Sequence, residues 1–597
     1  MAISKGFLDF YFGEPVQDGL VFIEGLGKWY KGSAVYLVKE LMNRERYGDL
    51  KICYSVMEET LEDTKSFFER LGITDIEYVL SGTTRYRQVL ATAKYLINEC
   101  DFPSDWIRKD EQVYLNIWHG TPLKKLGIAR MDKLVHDEGN HQRNFIMADY
   151  ILCPNEYTRD IFLDDYHARE FTRAKLLMKG YPRTGQLLQP CAAEARPRRR
   201  LAFMPTWREG AAAEQQAADL AAFFSEVSPA LSPDLELYVN LHHKIAAQIS
   251  LDEYEHIHFF PKEQEVYEFL QTVDVLITDY SSLMFDFAVT RKKIVLYCPD
   301  LAYYSGDRGF YFDIHELPFP ITQTLDELLR ECRSEKNYDD TAFLQKFCPY
   351  DGPDNTEAIC RAFILGDCSM AEIQEPKRRG GQKVLVYADQ VPEGKDGDLL
   401  KDYFAAHNNK DYEAYLSFKD SKIAELPGPA YPLLEEQMVL GCRKSQLYTR
   451  KMKEYRQSEM EGDCLQGRIK NIERAYKTEQ KRRYADARFD LNVLWNLTDI
   501  DAVLAFSYFT GYRTIVLGEQ FIAAAKADDL FRQAVQHYID RCLFVLVTDP
   551  EAESLFRFPC RKVRAGSGKE LEKHIRGSLG GSGLLLDRAV RKIKKRL

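Results

Sequence analysis

Gln112-Val-Tyr-Leu-Asn-Ile-Trp-His-Gly-Thr-Pro-Leu-Lys124 reads as a β-strand running straight into a functional turn. Val113, Tyr114, Leu115 and Ile117 favour a strand over Gln112–Trp118. His119 stands where that strand ends, and Gly120 lets the backbone come close to a ligand. Thr121 followed by Pro122 fits a helix start, with proline in the first turn. A helix N-terminus there presents free amides to an anion, and Lys124 adds positive charge. A strand feeding a helix is the repeating step of a parallel α/β layer.

The flanking sequence repeats that step. Leu20–Ile23, Lys51–Val56, Ile76–Leu80 and Tyr150–Cys153 read as strands, with helical apolar spacing between them. The Pro- and Arg-rich stretch 190–200, PCAAEARPRRR, reads as a connection. A second α/β series follows, with strands expected at Arg200–Met204, Glu236–Leu241, His256–Phe260, Val275–Thr278 and Ile294–Tyr297. Another break, Glu375–Lys383 (EPKRRGGQK), precedes a third region. There Lys383–Tyr387, Ala414–Phe418, Ala502–Phe506, Thr514–Leu517 and Leu543–Thr548 read as strands. Residues 433–490 and a stretch near 521–541 read as helices. The expected units are therefore 1–190, 191–375 and an accessory α/β domain, 383–576, with a helical insertion and no chemical motif of its own. Gly577–Gly583 reads as a flexible linker. Beyond it, 584–597 places Leu586, Val590, Ile593 and Leu597 at helical spacing among Arg and Lys, which suits an anionic membrane surface. A solvated tail is the plainer alternative.

At 597 residues, 45% hydrophobic and 29% charged, the chain has room for about three or four domains and is neither disordered nor fibrous. Its 81 basic and 91 acidic residues argue against a global nucleic-acid binder. The 13 cysteines include no CxxC pair, so reduced thiols are expected rather than a disulfide scaffold or zinc ribbon. The N-terminus lacks the look of a signal peptide, and no apolar run approaches the roughly 20 residues of a membrane span. A cytoplasmic protein is expected, with peripheral membrane contact through its tail.

In open parallel sheets, ligands bind beyond the C-terminal ends of the strands. Thr278-Asp-Tyr-Ser-Ser-Leu-Met-Phe-Asp286 begins at such an end. Ser281 and Ser282 can cap a helix and hold phosphate, and Asp286, a turn later, can meet a polyol hydroxyl. Gly180-Tyr-Pro-Arg183, Pro205-Thr-Trp-Arg208 and His242-His-Lys244 follow three more expected strands. Singly, each reads as a solvated loop or an ordinary cap. Together, five strand ends carrying His, Arg, Lys and Ser would line one anion-binding cleft suited to a diphosphate. His136 and His141 are five apart without an HExxH pattern, so no metal site is expected. Strand-linked GxGxxG, GxxxxGK[ST] and GxSxG motifs are absent.

HGTPLK, the G-x-P-R, PTWR, the strand-end His242 and TDYSSLMFDF, in this order, resemble the CDP-glycerol glycerophosphotransferase family of teichoic acid primases and polymerases. The resemblance covers about residues 15–370. It implies two Rossmann-like lobes of the glycosyltransferase-B type, with an acceptor-side N-terminal lobe and a CDP-glycerol-binding second lobe. It also implies the reaction: glycerol phosphate passes from CDP-glycerol to a hydroxyl of a polyprenyl-linked acceptor, CMP is released, and no cofactor is needed. The family's essential histidines fall on His119, the proposed base, and on His242. Relatives usually place proline after the second histidine, where this chain has His243. Donor contacts fall on Trp118, His119, Gly120, Thr121, Pro122, Arg183, Pro205, Thr206, His242, His243, Lys244, Ser281, Ser282 and Asp286, with Lys124 and Arg208 as further cations. CDP-ribitol or a nucleotide sugar as donor, and a non-catalytic scaffold, remain alternatives. Acceptor recognition and a homo-oligomer contact are roles open to the third region.

Overall fold

The computed structural model describes residues 6–28, 30, 32–129, 138–191, 197–206, 212–241, 243–261, 264–301, 309–389, 394–407, 411–419, 438–442, 447–453, 465–495 and 497–580. Arg208, His242 and the basic tail 584–597 lie outside these residues. So do the side chains of His243 and Lys244.

Three sheets organise the chain. The first contains β1 (Gln17–Glu24), β2 (Lys51–Val56), β3 (Ile76–Leu80), β4 (Ala93–Asn98), β5 (Val113–Asn116), β6 (Tyr150–Cys153) and β7 (Lys175–Met178). The second contains β8 (Arg199–Met204), β9 (Leu235–Val239), β10 (Ile257–Phe259), β11 (Val275–Thr278), β12 (Lys293–Tyr297) and β13 (Ile321–Thr322), all parallel, in the order β10-β9-β8-β11-β12-β13. β14 (Glu372–Gln374) does not extend that sheet. It pairs antiparallel with β7, so the first sheet runs β14-β7-β6-β5-β4-β1-β2-β3. The chain expected to complete a second unit at residue 375 has thus returned to the first. On the way the helix Asn355–Cys360 packs on the helices Ser33–Leu41 and Pro182–Leu187.

The third sheet holds β15 (Gln382–Ala388), β16 (Tyr412–Lys419), β17 (Met438–Cys442), β18 (Leu491–Trp495), β19 (Tyr512–Leu517), β20 (Phe544–Val547) and β21 (Arg561–Arg564). Its order, β17-β16-β15-β18-β19-β20-β21, is that of a doubly wound sheet, with the strand order reversing between β15 and β18. All of its strands are parallel.

Several sequence expectations are corrected here. Ala502–Phe506 is not a strand: it lies in the helix Ile500–Phe506, whose first amides are capped by Asp499. All five residues are buried, and a short, uniformly buried run carries no periodicity that separates strand from helix. Met438–Cys442 is a strand within a stretch read as helical, while Leu465–Tyr484 is the helix expected there. Gly577–Gly580 continues the helix Gly568–Gly580, with the Ser578 hydroxyl bonded to the His574 carbonyl. Residues 581–583 of that expected linker lie outside the described residues. No helix starts at Thr121 and Pro122. The chain there is extended and runs beside Gly309–Tyr311, where Lys125 N–H donates to Gly309 and Tyr311 N–H to Leu123. That pairing takes up the Lys125 amide and the Leu123 carbonyl, which a helix would have bonded within itself.

The third sheet is fused to the first through a shared core. Phe171 packs on Tyr415 and Phe489. Arg482 is fully buried, paired with Glu479 and donating to the Ser104 carbonyl. Helix Glu138–Met147 is wedged between that third unit and the turn at Trp118. Among the described residues, no helix is long and apolar enough to cross a membrane.

Candidate functional site

The C-terminal strand ends of the first and second sheets face each other across a cleft of about 370 Å³. His119, Arg183, Pro205, Ser281, Ser282 and Asp286 line it, together with Leu26, Gly32, Glu99, Met204, Asn240, Glu265, Val266, Tyr267 and Leu283. Six residues singled out by motif are thereby brought together from strand ends far apart in the chain.

His119 is held by its surroundings. β5 ends at Asn116, and Trp118 takes a positive φ of 52°, which turns the chain out of the sheet. The Trp118 ring stacks on the imidazole at 4.3 Å. His119 Nδ1 lies 3.0 Å from the Glu99 carbonyl oxygen. A carbonyl only accepts, so Nδ1 carries the proton and Nε2 keeps its lone pair. Burial lowers the pKa to about 4, with His141 and Arg183 adding to the effect and the Glu99 bond opposing it. His119 is therefore a neutral imidazole at physiological pH, able to accept a proton.

Gly120 follows at φ 145°, and a Cβ there would stand 2.6 Å from Ser282 Oγ. Only glycine lets the turn of the first sheet touch the serine of the second. Gly180 has the same necessity, because a Cβ would enter Asp351 and Asn355. Arg183, in the helix Pro182–Leu187, donates to Asp286 through Nε at 2.9 Å and Nη2 at 3.4 Å, and through Nη2 to the His119 carbonyl at 3.0 Å. Tyr267 donates to the same carboxylate at 2.8 Å. Asp286 is thus a buried partner of Arg183 rather than a carboxylate free for a polyol hydroxyl. Burial works against the guanidinium charge, yet Asp286 and the flanking tyrosines hold its pKa above the usual arginine value. One cation thereby joins both sheets to the carbonyl of the histidine.

TDYSS also braces the second sheet. Thr278 donates to the Met204 carbonyl, Asp279 accepts the Thr206 amide at 2.9 Å and its hydroxyl at 2.5 Å, and Tyr280 donates to Asp300. Ser281 Oγ accepts the Leu283 amide at 3.2 Å, and Ser282 is the N-cap of Leu283–Ala288. Thr206 faces a neighbouring pocket of about 300 Å³ that shares Pro205 with the cleft. Thr121, Pro122 and Lys124 sit outside the cleft lining. Thr121 is buried beside Asn155, Pro122 accepts the Tyr157 hydroxyl, and Lys124 pairs through its backbone with Phe310.

Two carboxylates escaped the sequence reading. Glu99 follows β4, a strand not recognised there, and accepts the amides of Leu26, Ser33 and Ala34 at 2.6, 2.7 and 3.1 Å. Burial raises its pKa. Glu265 caps the helix Val266–Leu270, accepting the Tyr267 amide at 2.6 Å, and takes the Tyr36 hydroxyl from the opposite sheet's layer. Burial pushes it up to about 7. Its place just before Val-Tyr-Glu-Phe-Leu was the available signal, since Glu there reads only as a cap.

The family described as CDP-glycerol:poly(glycerophosphate) glycerophosphotransferase matches residues 8–365. The teichoic acid poly(glycerol phosphate) polymerase of Bacillus spizizenii is 28% identical over 351 residues, 54% of this chain and 85% of the relative. The teichoic acid glycerol-phosphate transferase of Staphylococcus aureus is 30% identical over 323 residues, 49% of this chain and 81% of the relative. A solved wall teichoic acid polymerase aligns with 24% identity and a TM-score of 0.49, covering 59% of this chain and 90% of its own.

Proposed function

Because the chain belongs to the CDP-glycerol:poly(glycerophosphate) glycerophosphotransferase family, we propose that it transfers glycerol phosphate from CDP-glycerol to a hydroxyl of a lipid-linked acceptor in teichoic acid synthesis. His119 Nε2 removes the acceptor hydroxyl proton. The oxygen attacks the phosphorus bearing glycerol, a new P–O bond forms, and the bond to the CMP phosphate breaks. The Arg183 side chain and the Ser281–Ser282 turn face the charge that builds on the phosphoryl oxygens. Phosphoryl transfer depends chiefly on such positioning and electrostatics. In this reading the first sheet's unit receives the acceptor, the second binds CDP-glycerol, and His242 with Arg208 completes the phosphate contacts. The observation that carries it is the neutral, oriented His119 across the cleft from Ser282, with Arg183 bridging the two sides.

The direct test is CMP release from CDP-glycerol with and without a lipid-linked glycerol phosphate acceptor. Acceptor-dependent CMP with a ladder of products makes the enzyme a polymerase, and a single addition makes it a primase. CMP released only from CDP-ribitol would overturn the donor assignment. The basic tail 584–597 holds the enzyme at the inner face of the membrane, near its acceptor. Its deletion is expected to weaken binding to anionic liposomes in a sedimentation assay while leaving turnover on a water-soluble acceptor intact. Unchanged liposome binding would remove that role.

A further inference from the structure

Behind His119, three potential metal ligands converge. Cys100 and Asp101 follow β4, directly after the Glu99 whose carbonyl orients His119. His141 comes from the helix Glu138–Met147. Cys100 Sγ lies 3.9 Å from His141 Nδ1, and Asp101 Oδ1 lies 3.7 Å from that same nitrogen. One ligand atom from each residue falls within 4.8 Å of the other two.

The spacing has physical content. An N···O separation of 3.7 Å is too long for a hydrogen bond. The edges of a tetrahedral site built from metal–thiolate, metal–imidazole and metal–carboxylate bonds are roughly 3.3 to 3.6 Å. The imidazole nitrogen therefore stands only a few tenths of an ångström wider from the thiol and from the carboxylate than in a coordination shell, and the thiol and carboxylate lie within 4.8 Å of each other. All three side chains are partly exposed, so an ion can reach them and a water can fill a fourth position. The second oxygen of Asp101 accepts from Asn140, which leaves Oδ1 for the ion. The His141 ring is steered by edge contacts with Trp118 at 5.2 Å and Tyr166 at 6.2 Å. Such outer contacts commonly orient a ligating histidine.

We propose that Cys100, Asp101 and His141 form a binding site for a zinc-class divalent cation. Thiolate, imidazole and carboxylate in a tetrahedral arrangement with one open position favour zinc over magnesium or calcium, which prefer six or more oxygens. Cys100 binds as the thiolate, and its proton passes to solvent. The ion ties the loop after β4 to the helix Glu138–Met147, the two elements that hold the Glu99 carbonyl and the Trp118 ring around His119. Its role is to position the base, and it stands independently of which donor or acceptor the enzyme uses.

The test is titration of the metal-stripped full chain with cobalt(II), read by absorption. Wild type is expected to bind one equivalent, with a thiolate-to-cobalt band in the near ultraviolet and tetrahedral bands in the visible. Cys100→Ala is expected to lose the ultraviolet band. His141→Gln, a milder change, is expected to weaken binding at least tenfold while far-ultraviolet circular dichroism stays unchanged. Zinc is expected to raise the melting temperature of wild type and not that of Cys100→Ala. A cobalt spectrum equally strong in Cys100→Ala would place the metal on other thiols and overturn the site. So would the absence of any thiolate band in wild type.

Discussion

At the scale of single residues, the protonation state of His119 is set by its setting. A partly buried imidazole with Nδ1 on a carbonyl resists protonation until pH falls to about 4. The unfolded chain takes up that proton near pH 6.5. Between about 6.5 and 4 the unfolded state binds more protons, so stability falls as the solution is acidified. His119→Gln removes this contribution. Chemical denaturation across that range is expected to show a shallower acid-side loss in the variant than in wild type, and parallel curves would contradict a neutral imidazole held by its surroundings. The same variant is expected to lower kcat by about 10²- to 10⁴-fold, the usual weight of a general base. Near-normal turnover would remove His119 from that role.

At the scale of elements, two buried polar contacts help to join the facing layers. Arg183 reaches Asp286 from one layer to the other, and Tyr36 on the helix Ser33–Leu41 donates to Glu265 on the second sheet's side. The sign at Glu265 is opposite to that at His119. Its folded pKa of about 7 lies above the ordinary carboxylate value because burial disfavours the charge. The folded chain therefore keeps a proton that the unfolded chain releases, and stability declines as pH rises from about 4.5 to 7. Glu265→Gln keeps an oxygen for the Tyr267 amide and removes the titration. It is expected to flatten that decline in urea denaturation series, and an unchanged slope would mean the carboxyl titrates normally.

At the scale of the whole molecule, the third unit is not an appendage. Its core is continuous with that of the first sheet: residues such as Phe102, Trp106 and Phe171 share one cluster with Tyr415, Tyr476 and Phe489. A chain truncated before β15 would expose this apolar face and leave the helix Glu138–Met147 without its outer support. Residues 1–381 are expected to be aggregation-prone, and the full chain to lose its first and third units in one thermal transition. A soluble, cooperatively melting 1–381 fragment would contradict this. The third unit therefore supports the wall of the Trp118–His119 turn from behind.

Much of the first two sheets was legible along the chain, because a buried parallel strand is a short β-branched and aromatic run closed by a polar turn. Lys51–Val56, Ile76–Leu80, Tyr150–Cys153 and Val275–Thr278 have the bounds read from sequence. HGTPLK and TDYSS were legible for a related reason: residues at strand ends are local in sequence even when their partners are not. What remained hidden depended on distant partners. Thr121 and Pro122 look like a helix start until Gly309–Tyr311 pairs with the segment that follows them. Ala502–Phe506 is apolar on every side, so only its neighbours decide between strand and helix. Asp286 and Arg183, 103 residues apart, become one buried ion pair. His141, spaced in sequence against His136, meets Cys100 and Asp101 instead. Sequence by itself determined the α/β class, the family and six of the residues that line the cleft, His119, Arg183, Pro205, Ser281, Ser282 and Asp286, because those follow from local pattern. Tertiary structure alone decided which of them touch, which are neutral and which pair, because burial and long-range contact set proton affinity and no local pattern contains them.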